Sequence, residues 1–290
     1  MTLREALTVA AAQLAGGEQL RDTAARDAEL LLLNQLGITR ARLFLISDRE
    51  LTAEQELSFR QNIKRRLRHE PIQYIIGHQE FYGLNFNVTP AVLIPRPETE
   101  HLVESVLKLL PTDQPLKIAD VGTGSGILAV TLAVHLPRAE ITALDISTEA
   151  LDIARRNAAT HHVAGRIRFL QSDLLSALKD EAETFDVIVS NPPYIPETDR
   201  NTLHPQVRDY EPPTALFAGE TGLDIYRRLV PEALNALRPN ALLALEIGHG
   251  QQSAIASLLE TWHNLRFIND LQQTPRVALV QRPANPISIR

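Results

Sequence analysis

Through the first 70 residues, apolar positions recur three and four apart and polar residues fill the gaps. Leu3, Leu7, Ala10, Ala11 and Leu14 share one helical face, with the capping-box pair Thr2 and Glu5 in front of it and Gly16 and Gly17 behind. A second helix is expected from Asp27 to Leu36, stopped by Gly37, and a short third from Arg40 to Ile46. A fourth begins at Thr52, with Gln55 completing its capping box and Leu57, Ile63 and Leu67 on one side. The pattern changes over residues 72–95. There Tyr74, Phe81, Tyr82, Phe86 and Val88 are punctuated by Gly77 and Gly83, and alternation over residues 84–88 predicts a strand within a β-hairpin. Helical spacing returns over residues 98–110 through Leu102, Val103, Val106 and Leu109.

From about residue 115 strand and helix patterns alternate. Strands are predicted at Leu116–Val121, Glu140–Leu144, Ile167–Leu170, Phe185–Ser190, Ala241–Ile247, Leu265–Ile268 and Val277–Val280. Repeated β–α units imply a parallel sheet covered on both faces. The last two strands are separated by only eight residues, too few for a crossover helix, so that pair should be antiparallel. The expected architecture is α/β: a small helical bundle (1–70), a β-hairpin linker (71–97) and a Rossmann-like seven-stranded domain (98–290).

Composition narrows the chemistry. The chain has no Cys, which excludes disulfides, thiolate metal sites and a Cys nucleophile, and no metal is expected. Glu5 and Glu18, with no apolar run behind basic residues, argue against a signal or transit peptide. No apolar stretch reaches the roughly 18 residues of a membrane span, so the expected location is the cytoplasm. The net charge of −6 is uneven: residues 1–75 carry 11 basic and 10 acidic groups, the remainder 18 and 25. Neither part resembles an electrostatic clamp for nucleic-acid phosphates. The densest basic cluster, Lys64, Arg65, Arg66 and Arg68, is either a solvated helix face or a contact patch for a partner protein or RNA.

Two turns carry candidate chemistry. The apolar strand ending at Val121 runs into Gly122, Thr123, Gly124, Ser125 and Gly126, and a helix follows. Glycines at a strand-to-helix turn let the backbone approach a nucleotide cofactor closely. The G-x-G-x-G spacing differs from the dinucleotide fingerprint, and the loop lacks the Lys-Ser/Thr ending of an ATP-binding P-loop. Asp145 closes the next strand, where a carboxylate can accept both ribose hydroxyls. Asp173 follows the third strand; it is either an acceptor for an adenine amino group, with Leu174 packed on the ring, or a helix N-cap. The fourth strand ends in Asn191, Pro192, Pro193 and Tyr194. Two prolines remove two backbone donors, so the turn shows mainly acceptors. The Asn191 side chain and the Pro192 carbonyl can accept both hydrogens of a planar –NH2 group, and Tyr194 can stack on its plane.

The glycine loop together with the Asn191–Tyr194 turn resembles the class I amino-methyltransferases, a group acting on DNA adenine, RNA guanine or protein glutamine. Further segments are similar to the peptide chain release factor glutamine methyltransferase family: Glu70 to Gly77, Glu80 to Gly83, Ile94 to Glu100, Glu211 to Leu216, and Glu246 to Gly248. The resemblance spans nearly the whole chain. It implies a class I methyltransferase fold and S-adenosylmethionine as cofactor, leaving as S-adenosylhomocysteine. Gly122 to Gly126, Asp145, Asp173, Leu174 and Asn191 would hold that cofactor, and Asn191 to Tyr194 would be the catalytic turn. The implied target is the glutamine of the Gly-Gly-Gln tip of class 1 release factors, methylated on its N5 nitrogen by a monomer with no DNA or membrane partner. Two rivals remain. One is an N6-adenine or N2-guanine nucleic-acid methyltransferase, disfavoured by the acidic catalytic part and the lack of a target-recognition insertion. The other is an inactive adaptor, disfavoured by the intact catalytic turn.

Overall fold

The computed structural model describes residues 1–179 and 184–284, which form two units: Met1–His78 with His204–Tyr210, and Gln79–Leu203 with Glu211 onward. The first unit holds α1 (Leu3–Ala15), α2 (Ala24–Leu36), α3 (Arg40–Leu45), α4 (Ala53–Leu67) and α5 (Ile72–Ile76). Both expected capping boxes form. Thr2 Oγ1 accepts from the Glu5 amide and Thr52 Oγ1 from the Gln55 amide, at 3.2 Å each, while Glu5 and Gln55 reach back to the capping residues' own N–H groups. Leu3, Leu14, Leu31, Leu32, Phe59 and Ile63 fill the core between the helices. α5 differs from expectation: residues 72–76 form one helical turn, and the hairpin proper is β1 (His78–Phe81) with β2 (Leu84–Asn87). Five residues are too few to show a helical period, so the sequence pattern groups this apolar stretch with the hairpin linker.

In the second unit α6 (Glu100–Leu107) leads into β3 (Leu116–Val121), α7 (Ile127–His135), β4 (Ala139–Asp145), α8 (Thr148–Thr160), β5 (Ile167–Gln171), β6 (Phe185–Ser190), α9 (Asp224–Ala236), β7 (Leu237–Glu246), α10 (Gln252–Leu258), β8 (His263–Asn269) and β9 (Pro275–Gln281). The seven strands β3–β9 make one sheet in the order β5-β4-β3-β6-β7-β9-β8. β3 to β7 pair in parallel, and β9 is antiparallel to both β7 and β8, as the short connection required. Residues of α6, α7 and α8 pack on one face of the sheet and residues of α9 and α10 on the other. The central strands are buried on both sides, which is why their sequences are continuous apolar runs. The chain reverses direction across the sheet between β3 and β6. Ligands of open α/β sheets bind beyond the strand C-termini at such a switch point. Among the described residues no helix is long and apolar enough to cross a membrane.

Candidate active site

A cavity of ≈ 350 Å³ opens beyond the C-terminal ends of β3 to β6. That is the size of a small-molecule or cofactor site. Its wall takes in Gly122, Thr123, Gly124 and Ser125, then Asp145, Asp173, Leu174, Asn191, Pro192 and Pro193. The two turns singled out in the sequence, and the acids at the two other strand ends, therefore converge on one space. Gly126 and Tyr194 do not line it.

The glycine loop is built from inside the protein. Asp120, fully buried, accepts from Thr123 Oγ1 at 2.6 Å and from the Ala129 amide at 3.0 Å, which pins both ends of the turn. Burial pushes its carboxyl up to about 7. Asn157 in α8 donates to the Ser125 carbonyl at 2.8 Å and also bonds the backbone of Asn87 in β2, tying the loop to the hairpin. Gly124 sits at φ +55°, and a Cβ there would point into open space, so the loop keeps its backbone bare towards the cavity. Gly126 does a different job: at φ +84°, a Cβ would stand 3.0 Å from Ala154 Cβ, so glycine lets α7 start close against α8.

Asp145 is held as an acceptor. Gly124 N–H donates to one oxygen at 2.8 Å and Ser147 N–H to the other at 2.9 Å. Burial raises its pKa, and those two backbone donors work in the opposite direction. Each carboxylate oxygen keeps further acceptor capacity for a ligand hydroxyl. Asp173 pairs through one oxygen with Arg228, at 2.6 Å, and makes no helix cap. Leu174 takes φ +53°, a left-handed conformation costing roughly 1–2 kcal/mol for a residue with a Cβ. The residue held in this conformation is part of the cavity wall.

At the fourth strand end, Ser190 Oγ donates to the Val121 carbonyl at 2.6 Å, locking β6 to β3 just before the turn. The Asn191 amide donates through Nδ2 to Thr99 Oγ1 at 3.0 Å, and Asn191 lines the cavity. Tyr194 turns its hydroxyl to Glu246 Oε1 at 3.3 Å, while its carbonyl accepts from Gln251 Nε2 at 3.0 Å. Glu246 is 1 % exposed, and burial raises its carboxyl to about 7. Arg96, on the cavity wall, is paired with the buried Glu211, which also accepts from the Ile94 amide. Thr99, Asn157, Glu246 and Gln251 carry this geometry; Thr99 and Glu246 lie in segments that carry the family resemblance but had no role assigned to them, and Asn157 was not singled out in sequence. A further signal was a charged residue, Glu246, inside the apolar run Leu242 to Ile247.

A seven-stranded sheet of this order, with a glycine loop after its first strand and an acceptor-rich proline turn after its fourth, defines a methyltransferase. Comparison with known proteins agrees. Residues 99–206 match the methyltransferase small domain and residues 5–77 the PrmC N-terminal domain. The release factor glutamine methyltransferase of Koribacter versatilis is 45% identical, over 98% of this chain and 100% of its own. That of Moorella thermoacetica is 46% identical, over 97% and 99%. The crystal structure of a methyltransferase from Pyrococcus furiosus aligns with TM-score 0.52 at 16% identity, over 80% of this chain and all of its own, a likeness of fold. This chain belongs to the release factor glutamine methyltransferase family.

Proposed function

We propose that the enzyme transfers a methyl group from S-adenosylmethionine to the N5 side-chain nitrogen of the glutamine in the Gly-Gly-Gln motif of class 1 release factors, in the cytoplasm. The observation that carries the reading is the polarity of Asn191. Its donor end is spent on Thr99, so its acceptor end and the donor-free Pro192-Pro193 backbone face the cavity beside the glycine loop. Such a wall suits an –NH2 group, both of whose hydrogens it can accept, and disfavours an acceptor-only carboxylate.

The residues fit the cofactor. Asp145 would accept its ribose hydroxyls, the open backbone around Gly124 would pass close to its amino-acid portion, and Leu174 and Asp173 would meet the adenine. When bound it supplies an electrophilic methyl on a positively charged sulfur and departs as a neutral thioether. The protein's own task is to aim the nucleophile. An amide nitrogen is weak because its lone pair is delocalised. Asn191 Oδ1 and the Pro192 carbonyl accept its two N–H bonds, orient the lone pair in line with the methyl and favour a pyramidal nitrogen. Alignment alone is worth about 7–11 kcal/mol in well-oriented systems. A nitrogen–carbon bond forms as the carbon–sulfur bond breaks, and the nitrogen then loses one proton to solvent, so no base is required beforehand.

Two measurements test the reading. Labelled cofactor offered with separate pools of release factor, tRNA and DNA should mark the release factor at one glutamine; label in tRNA or DNA instead would replace it with the nucleic-acid alternative. Asp145→Ala should weaken S-adenosylmethionine binding by about 1.5–3 kcal/mol, the worth of hydrogen bonds to a charged group. Calorimetric titration with unchanged affinity would remove Asp145 from the site.

A further inference from the structure

Behind the catalytic turn lies a chain of buried polar groups that the methyl-transfer chemistry does not itself use. Asn191 Nδ2 donates to Thr99 Oγ1, so the Thr99 proton must point elsewhere. Close to it lies Glu246, which takes the Tyr194 hydroxyl on Oε1 and keeps Oε2 buried without a hydrogen-bond partner, an acceptor open to the Thr99 proton. Thr99 is fully buried and Glu246 nearly so. An acceptor that cannot donate, placed at the end of such a chain, sets the direction of every bond in it.

We infer that Thr99 and Glu246 are positioning residues that fix which end of the Asn191 amide faces the substrate. With Glu246 ionised, both hydroxyls donate towards it, Thr99 offers Asn191 only a lone pair, and the Asn191 amide must present Nδ2 to Thr99 and Oδ1 to the cavity. With Glu246 protonated, its own hydrogen occupies one hydroxyl oxygen, and the Thr99 proton can swing to Asn191. The amide can then turn over and point its –NH2 at the incoming –NH2, donor against donor. The lock rests on the proposed amide substrate for its catalytic meaning, but not for its existence.

The carboxyl titrates in an experimentally useful range. Burial is the largest influence and raises it to about 7; the Thr99 and Tyr194 hydroxyls lower it, Glu98 raises it, and Arg276 in β9 lowers it. Tyr226 in α9 also faces it, bonded through its hydroxyl to the Glu246 backbone carbonyl at 2.8 Å. The aligned state therefore populates as pH rises through neutrality.

The test uses the full chain, with Thr99→Val, Thr99→Ser and Glu246→Gln, each checked for native circular dichroism. One arm needs no substrate: hydrogen exchange of the ¹⁵N-labelled Asn191 side-chain amide, which should be protected in wild type and Thr99→Ser and exposed in Thr99→Val. The other is single-turnover methylation of a release factor between pH 6 and 9. Thr99→Val should be slower by about tenfold, the worth of one hydrogen bond, with Thr99→Ser restoring the rate and cofactor affinity unchanged in both. Wild type should show a rate that rises through about pH 7, and Glu246→Gln should lack that limb. Protection and rate both kept in Thr99→Val, or the rising limb kept in Glu246→Gln, would overturn the lock. A wild-type enzyme that leaves release factor unmethylated would instead overturn the proposed substrate, and the exchange arm would still decide the lock.

Discussion

Asn191→Ala is expected to lower kcat by roughly 10²–10³, the cost of removing one preorganised polar contact to a reacting group, while cofactor affinity and folding stay near wild type. The contact strengthens as the target nitrogen pyramidalises, so its loss should fall on the transition state and appear in kcat more than in KM. Alanine also frees Thr99 Oγ1 from its only donor on the turn, but leaves the Ser190 anchor to Val121 intact, so β6 should stay in place. Asn191→Asp is the sharper variant. It adds a negative charge beside the cationic cofactor, so binding should be at least as tight as in wild type. Turnover should still fall, because methyl transfer disperses the positive charge that the new carboxylate stabilises. The aspartate also offers Thr99 a second acceptor in competition with Glu246, which loosens the alignment further. Single-turnover methylation of release factor, with affinity measured separately by calorimetry, reads both quantities. Full activity in Asn191→Ala would reduce the turn to scaffolding.

The parts of the molecule legible in the sequence were those governed by local patterns. Central strands such as Ile118–Val121 and Val187–Ser190 are buried on both faces and read as apolar runs whatever surrounds them. Thr2 with Glu5 and Thr52 with Gln55 are contacts three residues apart. The glycine loop and the proline turn were visible because they restrict the backbone itself. What stayed hidden depends on distant partners. Asn157 looks like any polar residue in an amphipathic helix until the Ser125 carbonyl, 32 positions away, is brought against it. Thr99 and Glu246 lie 92 and 55 residues from the turn whose geometry they serve. β7 begins at Leu237, earlier than its apolar run, because Arg238, Pro239 and Asn240 are exposed and the pairing with β6 shifts register there. Glu100, in the first turn of α6, accepts from the Tyr82 amide 18 positions away, at 2.9 Å, a contact no local pattern shows.

The first unit should be the more sensitive to a single buried substitution. Asp27 and Arg66 form an ion pair whose side chains are only 7 % and 5 % exposed. Arg66 Nε donates to Asp27 Oδ2 at 2.7 Å, the Thr23 hydroxyl donates to the same oxygen at 3.0 Å, and Arg66 Nη1 reaches the Glu70 carbonyl. The pair thus joins the start of α2 to the end of α4. Asp27→Ala leaves a guanidinium buried without its counter-charge, and such losses cost about 3–5 kcal/mol. Native domains hold only about 5–15 kcal/mol in total, so this unit should become marginal, with its urea midpoint, followed by helical circular dichroism, moved sharply down. The pair itself need not be a net stabiliser, since removing two charges from water costs much of what their attraction returns. Replacing both residues with apolar side chains of similar size, Asp27→Leu with Arg66→Met, should therefore recover most of the loss. The cavity residues belong to the other unit, so calorimetric binding of S-adenosylmethionine should be unchanged in all three proteins. A double variant as unstable as Asp27→Ala would show that the cost lies in lost packing and not in the stranded charge.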